Sequence, residues 1–232
     1  MLDFVGMVVI PALMVFAVNA LVVFMDIPRG AKLILAAGAG LWIGLAAAAA
    51  SAGWLAIAEP FPVIGIFVAL PLAAAAVATV WPGARKALLG LPLPLLIGLN
   101  IGRVFAVLFL LLAVEGRLAG PFPYFAGLGD IITGVVAIPL IWLAQETKGQ
   151  TARIAAWNWF GAADLVLAIF LGVTSAQGAP LQLFHAAPGS AAMQHPPFSF
   201  VPTVLVPLYL ILHAIIWVRL RKQLGQPAAV VA

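Results

Sequence analysis

Apolar residues run along this chain in long, almost unbroken blocks, separated by short clusters of charge, proline and glycine. A block of about 18 or more apolar residues is what a helix needs to cross a hydrocarbon layer. Cutting the chain at the polar clusters predicts seven helices, at about 4–24, 31–57, 62–81, 91–113, 122–144, 153–175 and 200–220. Blocks this long lack the two-residue alternation of a membrane β-barrel. The predicted fold class is therefore an all-α integral membrane protein, a bundle of about seven transmembrane helices forming a single transmembrane domain over 1–232.

The charged residues sharpen this picture. Of the eleven Lys and Arg, nine fall in alternate connections or at the C-terminal flank: Arg29, Lys32, Arg85, Lys86, Lys148, Arg153, Arg219, Arg221 and Lys222. The other connections hold only Arg117, and Arg103 lies inside a helix. Basic residues mark the cytoplasmic side, which predicts an N-terminus outside, a C-terminus in the cytoplasm and a multi-pass protein of the cytoplasmic (inner) membrane. The start, Met1-Leu2-Asp3-Phe4, has no positive region of a cleavable signal, so the first block is read as a retained span.

Composition agrees. Hydrophobic residues make up 65% of the 232 and charged residues 8%, against about 25% charged in soluble domains, too few to cover a water-facing surface. The net charge of +4 sits in short clusters between apolar blocks, the pattern of membrane orientation and not of a nucleic-acid partner. With no cysteine, disulfides, thiolate metal sites, iron–sulfur clusters and cysteine nucleophiles are excluded.

The longest connection, 176–199, carries no Lys, Arg, Asp or Glu but holds Leu181, Leu183, Phe184 and Phe198. A segment this apolar is expected to pack on the outer mouth of the bundle or dip into the interface. Gly38, Gly40 and Gly44, with Ala46 to Ala50, are expected to give the second helix a smooth packing face. Pro11, Pro71, Pro94, Pro139 and Pro207 fall inside predicted helices, where each frees a carbonyl and bends its helix. Phe125 to Ile132 and Trp159 to Val166 share an order of aromatic, small residues, aspartate and two aliphatics, which an internal repeat or chance explains equally.

A charge at the centre of a membrane helix costs roughly 2.5–3.5 kcal/mol. The chain keeps Arg103, Asp130, Asp164 and the ionisable His213 there. At about 1.5 Å per residue, Asp130 lies roughly 12 Å from the outer end of its helix, Arg103 roughly 15 Å, Asp164 roughly 17 Å and His213 roughly 20 Å. Asn100 shares the last level and Asn158 lies deeper. Four helices thus place ionisable groups in one slab. One arginine cannot neutralise two aspartates. Two readings follow: polar glue that holds the helices together, or a ligand-binding site for an anion, cation or proton formed by Arg103, Asp130, Asp164, His213, Asn100 and Asn158.

Gly127-Leu128-Gly129-Asp130 resembles the GxGD motif of intramembrane aspartyl proteases, the presenilin and signal-peptide-peptidase type. The resemblance implies Asp130 and Asp164 as a catalytic acid–base pair sharing a proton. It covers barely ten residues. In that family the partner aspartate precedes the motif, whereas Asp164 follows it, and the Pro-Ala-Leu element of the last helix is missing. A retinal protein needs a lysine in the last helix, and this chain has none before Lys222. Paired-histidine haem fails because His213 is the single clearly intramembrane histidine, while a single-histidine haem or quinone site stays open. His185, Met193 and His195 on the long connection are soft ligands of the kind copper takes, without a standard spacing. Ser175, Ser199 and Thr203 lack the base and acid partners of a serine hydrolase, and no phosphate-binding glycine loop is present.

The function expected is a small-solute or proton-linked transporter, or a ligand-binding or sensor membrane subunit, with an intramembrane enzyme as the alternative. No cofactor is predicted. The expected partners are membrane lipid, a small-molecule or ion ligand, and a second copy or another membrane subunit.

Overall fold

The computed structural model describes residues 1–57, 59, 62–144 and 150–224. Lys148 and the side chain of Lys222, both part of the charge pattern above, lie outside the described residues. The described chain is helical, with no strand. Its α-helices are α1 (Leu2–Phe24), α2 (Arg29–Ser51), α3 (Val63–Ala78), α4 (Pro82–Gly90), α5 (Leu93–Leu99), α6 (Val107–Val114), α7 (Phe122–Leu143), α8 (Thr151–Thr174) and α9 (Val206–Leu224). A 3₁₀ segment, Asn100–Ala106, joins α5 to α6 so that Leu93–Val114 forms one rod. A π-helical segment, Val201–Leu205, leads into α9.

Six of these rods are long and apolar enough to cross a membrane. The third predicted helix is different. α3 has 16 residues, about 24 Å at 1.5 Å each, short of the roughly 30 Å hydrocarbon core. It then bends by 108° into α4, so that the pair makes at most one further span. Pro82 opens α4 at its first position, where a missing N–H costs nothing. Pro94 likewise stands in the first turn of α5, not in a helix interior as the sequence placed it. The second helix stops at Ser51 instead of 57, because Gly53 adopts φ +76° and turns the chain into the short 3₁₀ turn Trp54–Ala56.

α7 lies at the centre, packed against α5, the 3₁₀ segment, α6 and α8. α8 packs on α9, and α9 on α3, while α1 and α2 sit at the periphery. Large apolar side chains such as Phe4, Phe16, Leu33, Ile34, Trp142, Trp159 and Val166 face outward, a surface suited to lipid and too apolar for water. The glycine face of α2 is not used among the described residues. Nothing lies within 4 Å of a Cβ built on Gly38, Gly40 or Gly44. α2 buries Ala46, Ala49 and Ala50 instead, because a peripheral helix turns only one side inward.

The two ends of the bundle differ. At one end Lys32 Nζ donates to Val23 O at 2.8 Å, and Arg219 donates to the Leu91 carbonyl at the start of α5. Arg85 and Lys86 are exposed on α4 there. At the other end Arg117 pairs with Asp3 at 2.7 Å. The 175–200 connection folds over that end: Leu183 N and Phe184 N donate to Thr174 O, Ala119 N to Gly189 O at 2.9 Å, and Ser190 Oγ to Gly172 O at 2.7 Å. Met193, Phe198 and Ser199 are residues it buries against the bundle.

Pro207 has no N–H for the carbonyl four residues before it, Thr203 O. Trp42 Nε1 of α2 donates to that oxygen at 3.0 Å. The indole thereby satisfies a buried acceptor and pins α2 to the π segment. Trp42→Phe keeps a smaller aromatic ring and removes the donor. It is expected to lower stability by about 1–3 kcal/mol, seen as a lower thermal midpoint in detergent, and an unchanged midpoint contradicts this role.

Candidate functional site

The site is built around Arg103, which the sequence places in the midst of an apolar block. In a 3₁₀ helix, side chains three residues apart eclipse one another. That period puts Asn100, Arg103 and Ala106 on one inward line, and these are the three buried residues of the segment. An α-helical turn would splay the same three positions apart. Long 3₁₀ runs are uncommon, and this one aims the guanidinium squarely at α7, α8 and α9.

Arg103 Nε donates to Asp130 Oδ1 at 2.5 Å and Nη2 to Asp164 Oδ2 at 2.6 Å. The edge that would grip a single carboxylate with two bonds is therefore split between two carboxylates. Nη1 donates to Gly161 O at 3.2 Å and to His213 Nε2 at 3.0 Å. The guanidinium also lies over the Tyr209 ring, 5.8 Å from its centroid. Arg103, Asp130, Asp164 and His213 are 2%, 8%, 7% and 2% exposed.

The hydrogen bonds assign the histidine tautomer. Arginine can only donate, so His213 Nε2 is the bare nitrogen and Nδ1 carries the proton. Nδ1 donates to Asn158 Oδ1 at 2.8 Å, and Asn158 Nδ2 donates back to His213 O at 3.1 Å. Trp157 packs against the imidazole at 5.5 Å and donates to Thr133 O at 3.0 Å. His213 is thus neutral, and it adds no charge to the cluster. With both carboxylates ionised, one guanidinium faces two negative charges, and the group is short of one positive charge.

Glycines make room for this convergence. A Cβ on Gly129 would fall on the Asp164 carboxylate, and one on Gly161 would meet His213 Cε1 at 2.7 Å. Gly134 lets α7 approach the 3₁₀ segment, where a Cβ would meet Val104 N at 2.9 Å. Gly127 and Gly129, the glycines of the GxGD-like run, therefore serve close packing here: a Cβ on Gly127 would meet Leu110 Cδ2 at 3.3 Å.

The structure brings together Arg103, Asp130, Asp164, His213 and Asn158. It does not bring Asn100 into their hydrogen bonds. Asn100 is buried, but its Nδ2 turns back to Leu96 O at 2.9 Å and its Oδ1 has no hydrogen-bond partner among the described residues. A side chain one turn from Arg103 on its own helix points along that helix instead of across the bundle. Tyr209 was not singled out in the sequence, although it stands four residues before His213, the spacing that puts both on one helix face. On the long connection, Met193 is buried while His185 and His195 are exposed. Among the described residues no three His, Asp or Glu side chains gather as metal ligands.

Two cavities touch the cluster. A small one of about 40 Å³ lies between Arg103, Asp130, Gly102 and Tyr209, enough for ordered water. A larger one of about 450 Å³ extends from Asp130 toward the end covered by the 175–200 connection. Asp130 lines both.

The family model described as Domain of unknown function (DUF8737) matches residues 60–221, and the chain belongs to that family. The matched stretch contains every residue of the cluster. No curated protein and no solved structure matches the chain.

Removing one partner of a buried ion pair costs roughly 3–5 kcal/mol, because the other charge is left buried alone. Arg103→Gln strands two carboxylates and is expected to lower the thermal midpoint strongly. Adding Asp130→Asn and Asp164→Asn to that variant is expected to recover most of the loss. A triple variant no more stable than Arg103→Gln would show that charge is not what Arg103 balances.

Proposed function

We propose that this member of the DUF8737 family is a multi-pass protein of the cytoplasmic membrane, a small-solute transporter or ligand-binding membrane subunit whose intramembrane cluster takes up one positive charge, a cation or a proton, as it works. The observation that carries this reading is that Asp130 and Asp164 share the single Arg103 and that a cavity reaches one of them. An unbalanced charge in an apolar interior is expensive, so the second carboxylate has to take up a proton or a cation. A site meant to accept a cation or proton has to be short of one.

The geometry favours binding over hydrolysis. An aspartyl acid–base pair needs carboxylates that face each other and share a proton. Here each gives an oxygen to the same guanidinium.

Seven spans are counted by taking the bent pair α3 and α4 as one. An N-terminus outside and a C-terminus inside are supported by the basic residues gathered at one end, Arg29, Lys32, Arg85, Lys86, Arg153 and Arg219 among them. Arg117 at the opposite end is paired with Asp3 at 2.7 Å and Glu115 at 3.6 Å.

Orientation is directly measurable, because the chain contains no cysteine. A membrane-impermeant maleimide is expected to label Ala186→Cys in intact cells and Gly83→Cys only after permeabilisation. The reverse order overturns the orientation. Charge uptake is measurable on a solid-supported membrane carrying the reconstituted protein. A pH or sodium jump is expected to displace charge in the wild type and not in Asp130→Asn/Asp164→Asn. Equal transients in the two proteins would reduce the cluster to a structural role.

A further inference from the structure

The larger cavity has the size of a small-molecule pocket and a lining of one character. Its volume of about 450 Å³ falls in the range of roughly 300–1,000 Å³ that small-molecule pockets occupy. It lies between α3, α7, α8, the long connection and the π segment. The walls are apolar, with Leu55, Val68, Phe122, Ile169 and Met193 among them. Among the described residues, side-chain polarity comes from three, Asp130, Ser190 and Gln194, of which Asp130 alone is charged. Ser190 Oγ already donates to Gly172 O. The rim is apolar as well: Ile57, Pro180 and Leu181 line the cavity and are exposed.

We propose that this cavity binds a hydrophobic monocation carrying an N–H donor, a long-chain or aryl amine in its ammonium form, with the apolar body in the cavity and the ammonium on Asp130. The inference rests on the reading of the cluster as short of one positive charge and adds the solute class. Shape and charge point the same way. An apolar body gains from burial against these walls. Of the two oxygens of Asp130, Oδ1 accepts from Arg103, so Oδ2 is the one left for an ammonium. An ammonium there completes the charge balance that Arg103 begins. A carboxylate or phosphate head would meet Asp130 and be repelled. A neutral alcohol would fill the volume and leave the deficit in place. Arg103 lies behind Asp130, so the carboxylate is the first charge an entering ligand meets.

The test uses the full-length protein purified in a neutral detergent, with unfolding followed by the fluorescence of its seven tryptophans. Dodecylamine, dodecanol and dodecanoate have one chain and three heads. Dodecylamine is expected to raise the unfolding midpoint saturably, and the other two to give no saturable rise. In Asp130→Asn the half-saturating amine concentration is expected to increase about tenfold or more, as loss of one partner of a buried charge pair implies. Gly172→Leu, which adds bulk to the cavity wall and keeps the carboxylate, is expected to remove the amine effect. The proposal is overturned if the alcohol or the acid stabilises as well as the amine, if no saturable rise occurs, or if both variants respond like the wild type. The amine-free charge transient separates the two readings. A transient without amine binding overturns the solute class alone, and amine binding without a transient overturns the charge-uptake reading alone.

Discussion

One guanidinium shared between two carboxylates inside an apolar bundle sets the terms for the rest of this structure. An isolated charge in such a setting costs several kcal/mol. Arg103 offsets its own cost by meeting Asp130, Asp164, His213 and the Gly161 carbonyl at once. Those partners come from three helices, α7, α8 and α9, and the requirement that all reach one point dictates how closely they pack. Gly129, Gly134 and Gly161 are the concessions that closeness demands, each a place where a methyl group would strike the cluster or the rod that carries it.

Regular helix geometry also gives way at the site. The rod bearing Arg103 tightens to three residues per turn over Asn100–Ala106. The rod facing it widens over Val201–Leu205 before Pro207. Such departures concentrate where side chains must be aimed instead of merely packed. Their loose backbone groups are then satisfied from elsewhere, as when Trp42 donates to Thr203 O. The periphery thereby supports the centre, and α2 earns its place through one indole as much as through its small buried alanines.

The helical rods were legible in the sequence because burial in hydrocarbon is a one-dimensional signal. Long apolar blocks must be helical to satisfy their backbone groups. The site was legible in part for the same reason, since Arg103, Asp130, Asp164 and His213 stand out against apolar neighbours, and Asn158 fell in with them. Asn100 stood out equally yet bonds within its own helix, because a short amide reaches Leu96 O more easily than another rod. The third helix ends at Ala78 instead of 81, and the chain bends by 108° into a second short helix that carries Arg85 and Lys86; hydropathy registers neither the bend nor a helix in a charged connection. The glycines of α2 read as a packing face, but composition cannot say which side of a peripheral helix turns inward.

The sequence by itself determined the all-helical class, most helix positions, the gathering of basic charge into alternate connections, and the place of each buried charge along its helix. These follow from local costs: each residue carries its own transfer free energy whatever its neighbours are. Only the tertiary structure decided which charges meet, that Arg103 divides one edge between two carboxylates, that His213 is bare at Nε2, and that Asp130 rather than Asp164 faces the large cavity. Those are relations between helices distant in sequence, set by rotation about each helix axis and by where glycine permits approach. No single position along the chain encodes them.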